Sequence, residues 1–106
     1  MTTPNIDSTY LARDVLCVAV VGDIDIASAD SLNEALGAAL EDRGITRVMV
    51  DMQRTTFLDS AGVRTLLASR QKASELGIVF RIMNSPPVVR RVLELTGVYE
   101  FLTDDG

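Results

Sequence analysis

The stretch VMVDMQRTTFLDSAGVRTLL, residues 48–67, changes character twice within twenty positions. It opens on a short apolar run that ends at Asp51-Met52 and continues through a polar-to-apolar connection to the pair Phe57-Leu58. It then reaches Asp59-Ser60-Ala61-Gly62. The opening run, with Arg47, reads as a strand: it is short, Val-rich and apolar enough to be buried on both faces. Asp59-Ser60 reads as a helix start, because Asp and Ser oxygens accept the backbone N–H groups that a first helical turn leaves unpaired. Val63, Leu66, Leu67, Ala73 and Leu76 give the helix an apolar side, and Gly77 stops it. The stretch is therefore one strand–loop–helix unit.

The same unit recurs on either side. Upstream, VLCVAVVG (15–22) is a second buried strand ended by Gly22, followed by DIDIA and a helix for which Ser28 is the expected N-cap. Asp30 falls in the expected first turn. Leu32, Ala35, Leu36, Ala39 and Leu40 share one face, and Gly44 closes the helix at about Arg43. Ile6 to Ala12 is a weaker strand candidate, turned into the next strand by Arg13-Asp14 and expected to pair antiparallel. Downstream, IVFRIM (78–83) is a further buried strand. Pro87 then sits at the first turn of a short helix marked by Val88, Val89, Val92, Leu93 and Thr96, and Gly97 ends it. Val98, Phe101 and Leu102 are expected to pack back onto the domain. Strands and helices alternating through short connections predict an α/β domain, with a mixed, mostly parallel sheet and helices packed on it. Sites in such sheets collect in the loops after the carboxyl ends of the strands. Here those loops are GDIDIAS, MQRTTFLDS and NSPP.

Composition narrows the chemistry. The 106 residues suit one compact domain spanning 1–106, and with 47% hydrophobic and 5% aromatic residues its core must be mainly aliphatic. The formal charge of −5 argues against a direct nucleic-acid partner, which needs clustered Lys and Arg. The one cysteine, Cys17, lies in an apolar run and reads as a small buried hydrophobe. The N-terminal stretch has no basic region leading into an apolar one, and the longest apolar run, Val15 to Val21, is too short for a bilayer. A cytoplasmic protein with no membrane partner is expected. No histidine is present, which removes the commonest general base and the commonest zinc ligand. The single glycine of VVGDIDIAS makes neither a dinucleotide fingerprint nor a Walker loop. We expect no enzyme activity, no cofactor and no metal.

Two groups of residues keep a chemical reading. Asp23, Asp25, Asp51 and Asp59 fall on one sheet edge, and such carboxylates could hold Mg²⁺ beside a phosphate-accepting aspartate. Against that, the only lysine, Lys72, lies mid-helix instead of at a strand end. The second group is Asp59-Ser60. Capping alone accounts for both residues, but small Ala61 and Gly62 leave the serine open to a partner's active site. A helix N-terminus also favours an added phosphate, and Phe57-Leu58 would supply an apolar contact.

Three segments, in order and spacing, resemble the STAS domains, and among them the bacterial anti-sigma factor antagonists. VLCVAVVGDIDIASADSLNEAL is similar to the family's first strong strand, its Gly-acid-apolar-Asp turn and its first helix. VMVDMQRTTFLDSAGVRTLL resembles its most specific segment, and IVFRIMNSPPVVRRVLELTGVYEFL its last strand, following helix and Gly-apolar end. The resemblance implies that Ser60 is phosphorylated by a serine kinase that is also the anti-sigma factor. The unmodified form binds that kinase and frees the sigma factor, and a serine phosphatase resets the cycle. It also implies that Asp25 and Asp59 lie near the phosphoacceptor, with Gly62 holding the helix start open. The partner is expected to meet Asp23, Asp25, Ser28, Phe57, Asp59, Ala61, Gly62 and Arg64, and the free chain to be a monomer or weak dimer. Ala61 stands where the family often has a second serine, leaving one acceptor. Two alternatives remain at this point: a STAS scaffolding or transport-accessory protein that is never phosphorylated, and a Mg²⁺-dependent aspartyl phosphoacceptor.

Overall fold

A computed structural model describes residues 5–103. The elements run β1 (Asn5–Ala12), β2 (Val15–Ile24), α1 (Ile26–Glu41), β3 (Arg47–Asp51), β4 (Thr55–Leu58), α2 (Ser60–Glu75), β5 (Val79–Met83), α3 (Pro87–Leu95) and α4 (Tyr99–Thr103). The sheet order is β1-β2-β3-β5. β1 pairs antiparallel with β2, as expected for the N-terminal strand, and β2, β3 and β5 are parallel.

Strand alternation decides where the core sits. Leu16, Val18 and Val20 of β2, Val48 and Val50 of β3, and Phe80 and Ile82 of β5 all belong to one cluster. Leu32 and Leu36 of α1, Leu66 of α2, Val89 and Leu93 of α3 and Leu102 of α4 complete it. Each of these side chains is at most 5% exposed. Cys17 points the other way from Leu16 and Val18 and is buried outside that cluster. Burial pushes its thiol pKa up, and the carboxylate of Asp51 adds to the effect. Both keep the sulfur neutral, as expected of a structural cysteine.

Three local details differ from the sequence expectation. Residues 53–58 are not all connection: Thr55–Leu58 form β4, which pairs parallel with the carboxyl end of β2. Two contacts secure it there. The buried Thr55 hydroxyl donates to the Val20 carbonyl at 2.7 Å, and the Gly22 N–H donates to the Arg54 carbonyl at 3.0 Å. Gly22 has φ +99° at a register shift in β2, a backbone region that glycine enters freely. Second, α1 begins at Ile26, capped by Asp25, so Ser28 is its third residue and not its N-cap; Asp30 then lies beyond the first turn. Third, the C-terminal segment coils into α4. Leu102 is fully buried there, whereas Phe101 is half exposed beneath the Arg70 guanidinium, 4.9 Å from the ring centroid.

Candidate functional site

β2 and β4 end side by side. Asp23 is in register with Phe57, and Ile24 with Leu58. Each strand then gives way to an aspartate N-cap and a sixteen-residue helix, α1 from Asp25 and α2 from Asp59. The Asp59 N–H donates to the Ile24 carbonyl at 3.0 Å, tying the two starts directly together. Two helix N-termini therefore open on one edge of the sheet, at adjacent register positions.

The two starts are finished differently. At α1 the capping box is closed: the Ser28 N–H donates to the Asp25 carboxylate at 3.1 Å, and the Asp25 N–H donates to the Ser28 hydroxyl at 2.8 Å. The same hydroxyl lies 3.1 Å from the Asp23 carbonyl, to which it donates, and Ser28 is only 6% exposed. At α2 the Asp59 carboxylate accepts from the N–H groups of Ala61 and Gly62, at 2.9 and 3.1 Å. Ser60, the first residue of α2, is exposed, and its hydroxyl makes no hydrogen bond to the described residues.

Of the eight residues expected to meet a partner, four are exposed, two half-buried and two buried. Asp23, Asp25, Phe57 and Arg64 are exposed, and Asp59 and Ala61 are half-buried. Asp23 accepts a 2.5 Å hydrogen bond from the Thr56 hydroxyl, which pins the end of β2 to β4. Two residues stand differently from the expectation. The Ser28 hydroxyl is buried and used within the capping box instead of facing solvent. Gly62 does not serve to leave space around the serine. It is buried, and a Cβ there would lie 2.5 Å from Leu58 Cδ1 and 2.8 Å from Ile24 Cγ2. Its missing side chain lets the α2 N-terminus settle onto the ends of both strands, and Ser60 is held in place as a result.

The four aspartates do not converge. Asp23 is engaged by Thr56, Asp25 by Ser28, Asp59 by its own helix, and Asp51 by the Gln53 N–H and the Asn84 amide. Among the described residues no three carboxylate, thiol or imidazole groups come together as a cation site, and no helix is long and apolar enough to cross a membrane. Ile26, the first residue of α1 and outside the residues expected to meet a partner, is 78% exposed at this edge.

Known proteins share this architecture. The STAS domain family model matches residues 8–104. The anti-sigma-F factor antagonist RsfB of Mycobacterium tuberculosis is 30% identical over 84 residues, covering 79% of this chain and 67% of its own. An anti-sigma factor antagonist from Mycobacterium paratuberculosis superposes with a TM-score of 0.75 at 28% identity, over 94% of this chain and 84% of that one. The anti-sigma factor antagonist SpoIIAA has the same fold, although only 19% identical. In its unphosphorylated form the TM-score is 0.77, over 96% of this chain and 88% of that one. In its phosphorylated form the TM-score is 0.70 at 18% identity, over 96% and 91%.

Proposed function

The chain belongs to the STAS domain family, and we propose that it is an anti-sigma factor antagonist switched by phosphorylation of Ser60. In this reading the unmodified form binds an anti-sigma factor that is also a serine kinase and thereby frees a sigma factor. Phosphorylation of Ser60 by that kinase ends the complex, and a serine phosphatase restores it. The observation that carries the reading is the exposed Ser60 hydroxyl, without a hydrogen-bond partner among the described residues, at the first position of a helix whose cap is supplied by another residue. The relatives named above are antagonists of anti-sigma factors, and SpoIIAA, which shares the fold, exists in both phosphorylation states.

The physics of the site suits a switch. A phosphoryl group adds about −1.5 to −2 charges. Within the chain this change is tolerated, because a negative group at a helix N-terminus gains about 0.3–1 kcal/mol from the dipole and the exposed N–H groups. Against a bound partner the balance reverses. The phosphate would be desolvated in an interface that already holds Asp25 and Asp59, and like-charge juxtaposition there costs several kcal/mol. Every ~1.4 kcal/mol is tenfold in affinity, so binding falls by orders of magnitude while the fold is preserved.

Binding of a purified kinase to Ser60→Ala and Ser60→Glu tests this. Ser60→Ala should bind like the unmodified chain and stay bound when ATP is added. Ser60→Glu should bind weakly. Equal affinities for wild type and both variants, with wild type not released by ATP, would remove the switch.

A further inference from the structure

We infer that Ile26 is an apolar anchor that selects the partner, and that the matching surface is an apolar pocket rimmed by Arg or Lys. The inference deepens the proposed function and rests on it.

Single exposed aliphatic side chains are ordinary on protein surfaces, so exposure alone would say nothing. Three further observations distinguish Ile26. The first is position. Ile26 follows Ile24 by two residues as Ser60 follows Leu58, and Ile24 is in register with Leu58. The first residue of α1 is thus the counterpart of the first residue of α2, one an isoleucine and the other the candidate phosphoacceptor. Phe57, 45% exposed, is in register with Asp23 on the same edge, so the apolar surface there has a second contributor.

The second is rigidity. Ile26 lies inside the segment Asp23–Ser28, which the buried Ser28 hydroxyl closes through contacts to the Asp25 N–H, the Asp25 carboxylate and the Asp23 carbonyl. The Ala29 N–H also donates to the Asp25 carbonyl at 2.9 Å. The backbone that carries Ile26 is therefore already ordered, so that only the side chain's own rotamers are left to be fixed on binding, which is how a preorganised contact gains affinity.

The third is charge. Asp23 and Asp25 are exposed in the same segment, Asp30 is exposed four residues after Ile26 in α1, and Asp59 is half-buried beside them, against the exposed Arg54 and Arg64 of the neighbouring β3–β4 turn and α2. An aliphatic group within a predominantly acidic rim complements an apolar pocket with a basic rim. Hot spots have this form, a desolvated centre with charges around it. A phosphate added at Ser60 would sit on the same rim and increase its negative charge, so the anchor and the switch would act on one contact surface.

The test uses the full chain and each purified anti-sigma factor kinase of the source organism in turn. Dissociation constants and Ser60 phosphorylation kinetics are measured for wild type, Ile26→Ala, Ile26→Glu and Leu95→Ala. Leu95 is 75% exposed on α3 and serves as the control for loss of an equally exposed aliphatic group. Ile26→Ala should weaken binding of the cognate kinase about tenfold and Ile26→Glu about a hundredfold. KM for the protein substrate should rise in step, with kcat at saturation within about twofold of wild type. Leu95→Ala should change neither. Wild-type binding that Ile26→Ala and Ile26→Glu leave unchanged would overturn the anchor and leave the switch standing. A fall in kcat with unchanged KM would also overturn it, because the residue would then be shaping the acceptor site. Failure of wild type to bind any of these kinases would overturn both readings.

Discussion

The starts of α1 and α2 are built from the same parts: a parallel strand end, an aspartate cap, a serine within the next three residues and a sixteen-residue helix. At α1 the serine is third, turned inward, and completes a capping box. At α2 it is first, turned outward, and the aspartate alone serves two N–H groups. Moving a hydroxyl by two positions along the first turn converts a fold-stabilising group into a chemically available one. A serine next to a cap is therefore not informative until its position in the first turn is known.

This contrast is open to attack from the largest effect downward. Ser60→Glu should reduce kinase binding by about two orders of magnitude, given the several kcal/mol expected for like charges in a closed interface, and surface plasmon resonance on purified components would read it. Its thermal unfolding midpoint should nevertheless remain near that of the wild type. A midpoint lowered by many degrees would mean that α2, like α1, depends on its serine.

Gly62→Ala should come next. The added Cβ has no room between Leu58 and Ile24, and overpacking of this kind costs about 1–3 kcal/mol. In a domain of this size that lowers the midpoint by about 4–8 °C per kcal/mol, which calorimetry resolves. An unchanged midpoint would show that the α2 start is looser than the contact distances imply.

Ser28→Ala sharpens the comparison in the opposite sense from Ser60→Ala. Losing the capping-box hydroxyl should cost about 1 kcal/mol of stability in urea unfolding and leave the phosphorylation site itself intact. Ser60→Ala should cost almost no stability and abolish the modification. If both substitutions affected stability alike, the division of labour between the two starts would be wrong.

The smallest effect concerns Cys17. Its pKa is raised in the folded chain, so the folded state disfavours the thiolate relative to the unfolded state. Stability from this residue is complete below the ordinary thiol pKa near 8.5 and declines as pH rises from there towards the folded value. Cys17→Ala should remove that alkaline decline, and the native thiol should react with iodoacetamide far more slowly than the unfolded one.

Much of this was legible in the sequence, and what was missed has a physical cause. The buried strands, both long helices and the Pro87 start of α3 follow from short apolar runs, 3.6-residue periodicity and punctuation, which are local signals. β4 is not legible locally, because its identity comes from pairing with β2, 35 residues away at Thr55–Val20, and four residues carry too little pattern of their own. The sequence alone does not choose between Asp25 and Ser28 as the α1 cap, because both are good caps and only their reciprocal bonding identifies which is which. The crowding around Gly62 is invisible in the sequence, which shows that a residue is small but not which side is crowded. Ile26 is not among the residues that the sequence marks for a partner, because nothing local distinguishes an exposed aliphatic residue from a buried one at a helix start.

The central claim is that the outward serine of α2 is the modified group. Intact and tandem mass spectrometry of the full chain tests it most directly, after incubation with extract of the native host and Mg-ATP, with Ser60→Ala in parallel and a control substrate to prove the extract active. The account predicts one added phosphate, located on Ser60 and absent from the variant. An unmodified wild-type chain in an active extract, or a phosphate that persists in Ser60→Ala, would contradict it.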